Sequence, residues 1–179
     1  MLISGNPQKG LAAELYKLYP DAEFVSKSQG VDLTKDTQQQ AFADLALNHD
    51  VIIINSALWK FNQTVLLDTV YKTLKTANSQ AYIVCIGSTT DRVCKGTDWL
   101  YNAEKKALRD YCNSLSLLGV WNGGPRVSYI SFGTLSNNQY KHPDRTCMPI
   151  DIAAKYIKWV IEQPVHVNEI SLDPLQHQL

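Results

Sequence analysis

The chain has 179 residues, 45% of them hydrophobic and 19% charged, with 17 basic and 17 acidic side chains. That length suffices to bury the core of one ordinary domain, and the composition excludes a disordered or fibrous chain. Balanced charge provides no global field to recruit nucleic acid or an anionic membrane, so a small molecule is the expected partner.

Short apolar runs alternate with helical patterns, which is the signature of parallel βαβ units. The pattern predicts a strand over residues 1–4, a helix over 10–19, a strand over 22–26 and a helix over 37–47 preceded by the cap-like Asp36. Residues 51–55 open with Val51, Ile52, Ile53 and Ile54, an unbroken β-branched run suited to a strand covered on both faces. A helix over 63–77, a strand over 81–86 and a long helix over 100–118 follow, the last stopped by Gly119, Gly123, Gly124 and Pro125. A strand over 126–131, a polar aperiodic stretch over 134–149 expected as a mobile loop above a site, a helix over 150–162 and a strand over 168–172 complete the order. With no repeat, low-complexity tract or linker, the expectation is a single α/β domain over 1–179: Rossmann-like, with a doubly wound parallel sheet of about six strands and helices on both faces.

Cys85, Cys94, Cys112 and Cys147 show no Cys-x-x-Cys spacing and read as free thiols in a reducing compartment. His49, His142, His166 and His177 are scattered outside any metal-ligand pattern, so no metal is expected. The chain opens on an apolar strand without a basic leader or cleavage signal, and no stretch reaches the roughly 20 apolar residues of a membrane helix. A cytoplasmic location is the expectation.

Chemistry concentrates in three places. Residues 81–86 form a buried strand that delivers Ser88 near its carboxyl end, where ligands of open α/β sheets bind. Thirteen residues later Tyr101 and Lys105, four apart on a predicted helix, leave the same face, so the ammonium can approach the phenol and make it a usable acid. Such a pair also arises on ordinary amphipathic helices, and it is the preceding strand and serine that favour the chemical reading. Gly5, Lys9, Gly10 and Leu11 lie in the turn between first strand and first helix, where glycines let the backbone approach a phosphate at a helix N-terminus. A dinucleotide-binding glycine fingerprint fits this turn only with one extra residue and with Ala12 in place of the last glycine.

These residues together resemble the short-chain dehydrogenases/reductases, nearly end to end. Gly5, Lys9 and Gly10 resemble the family's cofactor loop, and Asp32-Leu33 its acidic pair beside the adenine. Asn55-Ser56-Ala57 resembles its Asn-Asn-Ala-Gly segment with two departures, while Ser88, Tyr101 and Lys105 match its catalytic serine and Tyr-x-x-x-Lys. Phe132-Gly133 stands where the family has Pro-Gly, followed by backbone to Leu135 that holds the nicotinamide amide. Asn62 resembles the fourth catalytic residue, the alternative being a helix N-cap. The chain is shorter than the family norm. Few residues separate the second strand from Asp32, so a helix and an outer strand are lost there, and the approach from Ala57 to Asn62 is abbreviated.

The resemblance implies hydride transfer between a nicotinamide and a carbonyl or alcohol. Tyr101 is then the acid, Lys105 lowers its pKa and holds the ribose, Ser88 binds the substrate oxygen, and Asn62 positions a water leading to solvent. After the second strand Lys27 and Ser28 occur with no acid beside them, and Lys9 adds a second cation, which favours NADP(H) over NAD(H). Trp59, Trp99, Tyr140 and Met148 are candidates for an apolar substrate wall. The two long helices imply a homodimer by the same resemblance. The competing expectation is a catalytically idle NADP(H)-binding module acting as redox sensor or structural partner.

Overall fold

A computed structural model of the protein describes residues 1–92 and 96–175. The elements alternate in the expected order: β1 (Leu2–Ser4), α1 (Gly10–Leu18), β2 (Glu23–Val25), α2 (Asp36–Ala46), β3 (Val51–Ile54), α3 (Asn62–Thr76), β4 (Tyr82–Ser88), α4 (Leu100–Asn122), β5 (Arg126–Phe132), α5 (Ile150–Glu162) and β6 (Glu169–Leu172). All strand pairs are parallel, in one sheet of order β2-β1-β3-β4-β5-β6. This is the six-stranded α/β architecture expected of a chain that lacks the outer strand.

Side-chain alternation along each strand splits the core into two layers. Leu2, Ile52, Ile54, Ile83, Cys85, Val127 and Tyr129 face α2, α3 and α4, where they meet Phe42, Leu66, Val70 and Leu108. Ile3, Ile53, Val84, Ile86, Ile130 and Phe132 face the opposite way, against Leu11 and Leu15 of α1 and Ala153 and Ile157 of α5. Both faces being apolar explains why the strands read as continuous hydrophobic runs. Among the described residues no helix is long and apolar enough to cross a membrane.

Three local expectations change. Gly119 does not stop α4, which runs on to Asn122 and ends at Gly123, whose positive φ of 71° suits glycine. Gly119 serves packing instead: a Cβ there would stand 2.7 Å from the Pro125 carbonyl oxygen, so only glycine lets the helix pass the start of β5. Asp36 lies inside the first turn of α2 rather than before it, with Lys35 at the N-cap. The polar stretch after β5, expected to be aperiodic, holds short regular structure. A 3₁₀ helix spans Ser136–Lys141, and a parallel bridge joins Leu135 to the buried Met148 through Ser136 N–H to Met148 O and Met148 N–H to Thr134 O, both 2.8 Å. Cys85, Cys112 and Cys147 are buried free thiols, whereas Cys94 and His177 lie outside the described residues.

Candidate active site

From β1 the chain winds outward to β2, and from β3 it winds the other way to β4, so a topological switch point lies between β1 and β3. A cleft of about 400 Å³ opens beyond the carboxyl ends of these strands. Gly5, Asn6, Lys9 and Ala12 line it from one side, Lys27, Asp32 and Leu33 from a second, and Asn55, Ser56 and Ala57 from a third. The buried Ser4 hydroxyl fixes this geometry by accepting the N–H groups of Asn55 at 2.9 Å and Ser56 at 3.0 Å. Gly5 is required for the close approach, because a Cβ there would stand 2.8 Å from Asn55 Nδ2 and 2.9 Å from Ala12 Cβ. Lys9 caps α1, and Gly10 begins it at φ 55°.

Lys27 and Asp32, two of the expected cofactor residues, are joined to each other: Lys27 Nζ lies 2.9 Å from Asp32 Oδ2. Asp32 Oδ1 accepts the Thr34 hydroxyl at 2.7 Å and the Thr34 N–H at 3.2 Å. The hydrogen bonds from Lys27 and then Thr34 hold the Asp32 carboxyl down at about 2. Ser28 Oγ lies 2.9 Å from Ser26 Oγ on the same loop. Leu33 is buried in the cleft wall, and Leu11 is buried in the core layer on the α1–α5 side.

The second cluster forms at the end of β4. This strand and β5 run further than expected, pairing Gly87 with Ser131 and Ser88 with Phe132. The Tyr129 side chain crosses the Gly87 α-carbon so closely that a Cβ would meet its hydroxyl at 1.9 Å, and that hydroxyl donates to buried Asp91 Oδ2 at 2.8 Å. Ser88 is thereby held on a strand end anchored from β5 and from the turn behind it. Thr90 donates to Ser88 Oγ through its hydroxyl at 3.1 Å. Tyr101, in the first turn of α4, brings its phenol near the Ser88 hydroxyl. Burial pushes the Tyr101 phenol up, the nearby Ser88 hydroxyl opposes this, and Glu104 and Asp91 add to the rise. The sequence expectation was a phenol lowered by Lys105; the protein's own balance instead keeps it firmly protonated, as a proton donor must be.

Lys105 lies one helical turn beyond Tyr101 on the same face, its ammonium 5.3 Å from the phenol ring centroid. It is 4% exposed, and burial lowers its pKa, with Cys85, Glu104, Cys112 and Asp91 opposing. Its hydrogen bond goes to Gln63 Oε1 at 2.6 Å. Asn62, the expected fourth residue, sends its side-chain amide to the Trp59 carbonyl at 2.6 Å, closing the turn before α3. Sequence reasoning passed over Gln63, whose signal was a polar residue due to face the core in a helix otherwise apolar on that side. Glu104 was also missed. It is 5% exposed, and its Oε1 accepts the Lys60 N–H at 2.5 Å.

Trp59 and Trp99 pack against Tyr101, with ring centroids 5.1 and 4.9 Å away, and each is about half exposed. Tyr140 is three-quarters exposed beside Lys141, and Met148 belongs to the α1–α5 side of the core. Phe132 ends β5 buried, and Gly133 passes so close to Asp173 that a Cβ would meet its Oδ1 at 2.5 Å. Among the described residues no group of three His, Cys, Asp or Glu is placed to hold a metal ion.

No protein-family model and no curated protein matches this sequence. Its fold, in contrast, has many solved counterparts. A short-chain dehydrogenase from Burkholderia cenocepacia in complex with NADP aligns with TM-score 0.76 at 14% identity over 96% of this chain and 86% of that one. Serine dehydrogenase from Escherichia coli aligns with TM-score 0.71 at 14% identity, covering 96% and 95% of the two chains. A 4-hydroxyisoleucine dehydrogenase complexed with NADH and succinate gives TM-score 0.72 at 16% identity over 97% of each. The fold of this chain is the Rossmann-like fold of the short-chain dehydrogenases/reductases.

Proposed function

We propose that the protein is an NADP(H)-dependent oxidoreductase of the short-chain dehydrogenase/reductase type, interconverting a small carbonyl compound and its alcohol. The observation that carries this reading is the placement of Ser88 at the carboxyl end of β4, Tyr101 in the first turn of α4 and the buried Lys105 one turn beyond, its ammonium over the phenol ring. The cleft at the switch point fits an adenine nucleotide, because Gly5 admits close backbone approach and α1 points its N-terminus there. Gly5, Lys9, Gly10 and Leu11, with Lys27, Ser28, Asp32 and Leu33, would hold the adenosine end. Asn55, Ser56, Ala57, Tyr101, Lys105, Phe132, Gly133 and Leu135 would hold the nicotinamide end. When bound, the cofactor supplies the hydride.

In reduction Tyr101 gives its phenolic proton to the carbonyl oxygen. Ser88 donates a hydrogen bond to the same oxygen and stabilises its developing charge. The Lys105 cation would favour the phenolate left behind, and Asn62 would position the water that returns the proton. Trp59 and Trp99 flank the phenol and would wall the substrate. Preference for NADP(H) rests on Lys9 and Lys27 at the cleft, where a 2′-phosphate would compete with Asp32 for the Lys27 ammonium. The buried thiols accord with a reducing compartment such as the cytoplasm. Val65 on α3 and Leu117, Val120 and Trp121 on α4 are exposed apolar residues that would be covered in a homodimer, which sedimentation of the purified chain would reveal or exclude.

The test is a fluorescence titration with NADPH and NADH, followed by Tyr101→Phe. NADPH binding kept and carbonyl turnover lost in the variant is the expected result. Binding of neither nucleotide would overturn the reading, and NADPH binding without turnover of any carbonyl would leave an idle binding module.

A further inference from the structure

Gln63 is 3% exposed, and every polar atom of its side chain is engaged. Its Nε2 donates to the Ile86 carbonyl at 2.8 Å and approaches the Ile54 carbonyl at 3.4 Å, so the amide spans the ends of β4 and β3. With strand carbonyls on the nitrogen side, Oε1 must face the Lys105 ammonium, at 2.6 Å. A buried ammonium is costly unless a hydrogen-bond acceptor replaces water. Which acceptor is present decides what the charge can do. A carboxylate would keep the lysine charged but cancel its field at the phenol, an apolar side chain would let burial discharge it, and a neutral amide oxygen avoids both outcomes.

The turn before α3 makes this contact possible. Lys60 and Phe61 both adopt left-handed conformations, φ 59° and 61°, which non-glycine residues rarely take and which the surrounding contacts must hold. Glu104 clamps the turn through the Lys60 N–H, and Asn62 closes it onto Trp59. The chain therefore enters α3 with Asn62 turned outward and Gln63 inward.

We propose that Gln63 is the positioning residue of the site, holding the Lys105 ammonium charged and directed along α4 toward Tyr101. The role rests on the reductase reading for its chemistry, while its electrostatic part can be measured without turnover. Facing Lys105 are Tyr101, Glu104 and Cys112 on α4, Cys85 on β4, Asp91 in the turn after β4 and Gln63 on α3. Gln63 alone of these is altered in the test.

Lysine side chains labelled with ¹³C at the ε-carbon are titrated by NMR, the Lys105 signal being the one lost in Lys105→Met. Gln63→Leu should lower the Lys105 midpoint by about one pH unit or more, and the near-isosteric Gln63→Glu should raise it. Both variants weaken the positive contribution that Lys105 would make at Tyr101, where Glu104 and Asp91 already act in the opposite sense. The midpoint of alcohol oxidation governed by the phenol should therefore move upward in each, a shift that damage to packing alone would not produce. Should Gln63→Leu fail to fold, Gln63→Glu carries the test. Midpoints unchanged in the folded variants overturn the assignment. Shifted Lys105 midpoints in a protein that turns over no carbonyl support the assignment and overturn the reductase reading instead.

Discussion

Gly87→Ala is the most searching single substitution, because one methyl group tests how Ser88 is held. The added Cβ would overlap the Tyr129 ring, 2.1 Å from Cζ and 2.5 Å from Cε2, besides the hydroxyl at 1.9 Å. Neither the strand backbone nor a fully buried tyrosine yields easily, and over-packing of this kind costs about 1–3 kcal/mol. Displacing the ring also breaks the Tyr129–Asp91 hydrogen bond, and a bond to a charged group is worth about 1.5–3 kcal/mol. Together these predict a loss of about 3–5 kcal/mol, or a Tm lower by about 8–15 °C for a chain of this size. Urea unfolding and a thermal melt measure it directly. Turnover should fall because Ser88 moves, while the adenosine end of NADPH keeps its site because that cleft lies on β1 and β3. Tyr129→Phe separates the two contributions, removing the hydrogen bond while keeping the ring. Burial raises the Asp91 carboxyl and the Tyr129 bond opposes that rise, so its loss raises the folded-state pKa further. A carboxyl raised on folding contributes stability that is present below its unfolded value near 3.8 and lost as pH rises through the folded one, so the Tyr129→Phe penalty should be larger at pH 7 than at pH 4. A Gly87→Ala protein within about 0.5 kcal/mol of the parent would refute the reasoning.

Lys27→Ala should weaken NADPH binding at least tenfold more than NADH binding, and equal losses would remove Lys27 from cofactor choice. The same variant should let the Asp32 carboxyl rise from about 2 toward its ordinary value, visible in a carboxyl-carbon titration. Since Asp32 is depressed, the stabilisation from its ion pair is present above about pH 4 and is lost as pH falls toward 2. Trp59→Ala and Trp99→Ala should raise KM for ring-bearing carbonyl substrates by about tenfold while leaving NADPH affinity in place, as expected for walls that touch substrate. Unchanged KM values would place the substrate elsewhere.

The architecture was legible because the sheet is buried on both faces. A parallel strand covered twice is apolar along most of its length, so Val51, Ile52, Ile53 and Ile54 announced β3 by composition alone. Helix ends were less legible where a residue has two physical uses. Gly119 reads as a helix stop, yet its absent side chain lets α4 pass Pro125 at close range, a reason that exists only once β5 is in place. Ser4 likewise reads as a strand-end residue, and its two hydrogen bonds to the Asn55 and Ser56 amides depend on a segment about fifty positions away.

The site divides along the same line. Ser88, Tyr101 and Lys105 were legible because strand end and helix face fix their directions, so spacing in sequence converts directly into proximity. The entrance to α3 has no such conversion. Adjacent helical residues point about 100° apart, and which of Asn62 and Gln63 turns inward depends on where the helix begins. That origin is set by two left-handed residues with side chains, Lys60 and Phe61, a conformation that no propensity predicts and that the Glu104 carboxylate on another helix secures. Pattern matching could locate a polar residue at the head of α3. The identity of the side chain that reaches Lys105 follows only from the turn, and the turn only from packing α3 against α4.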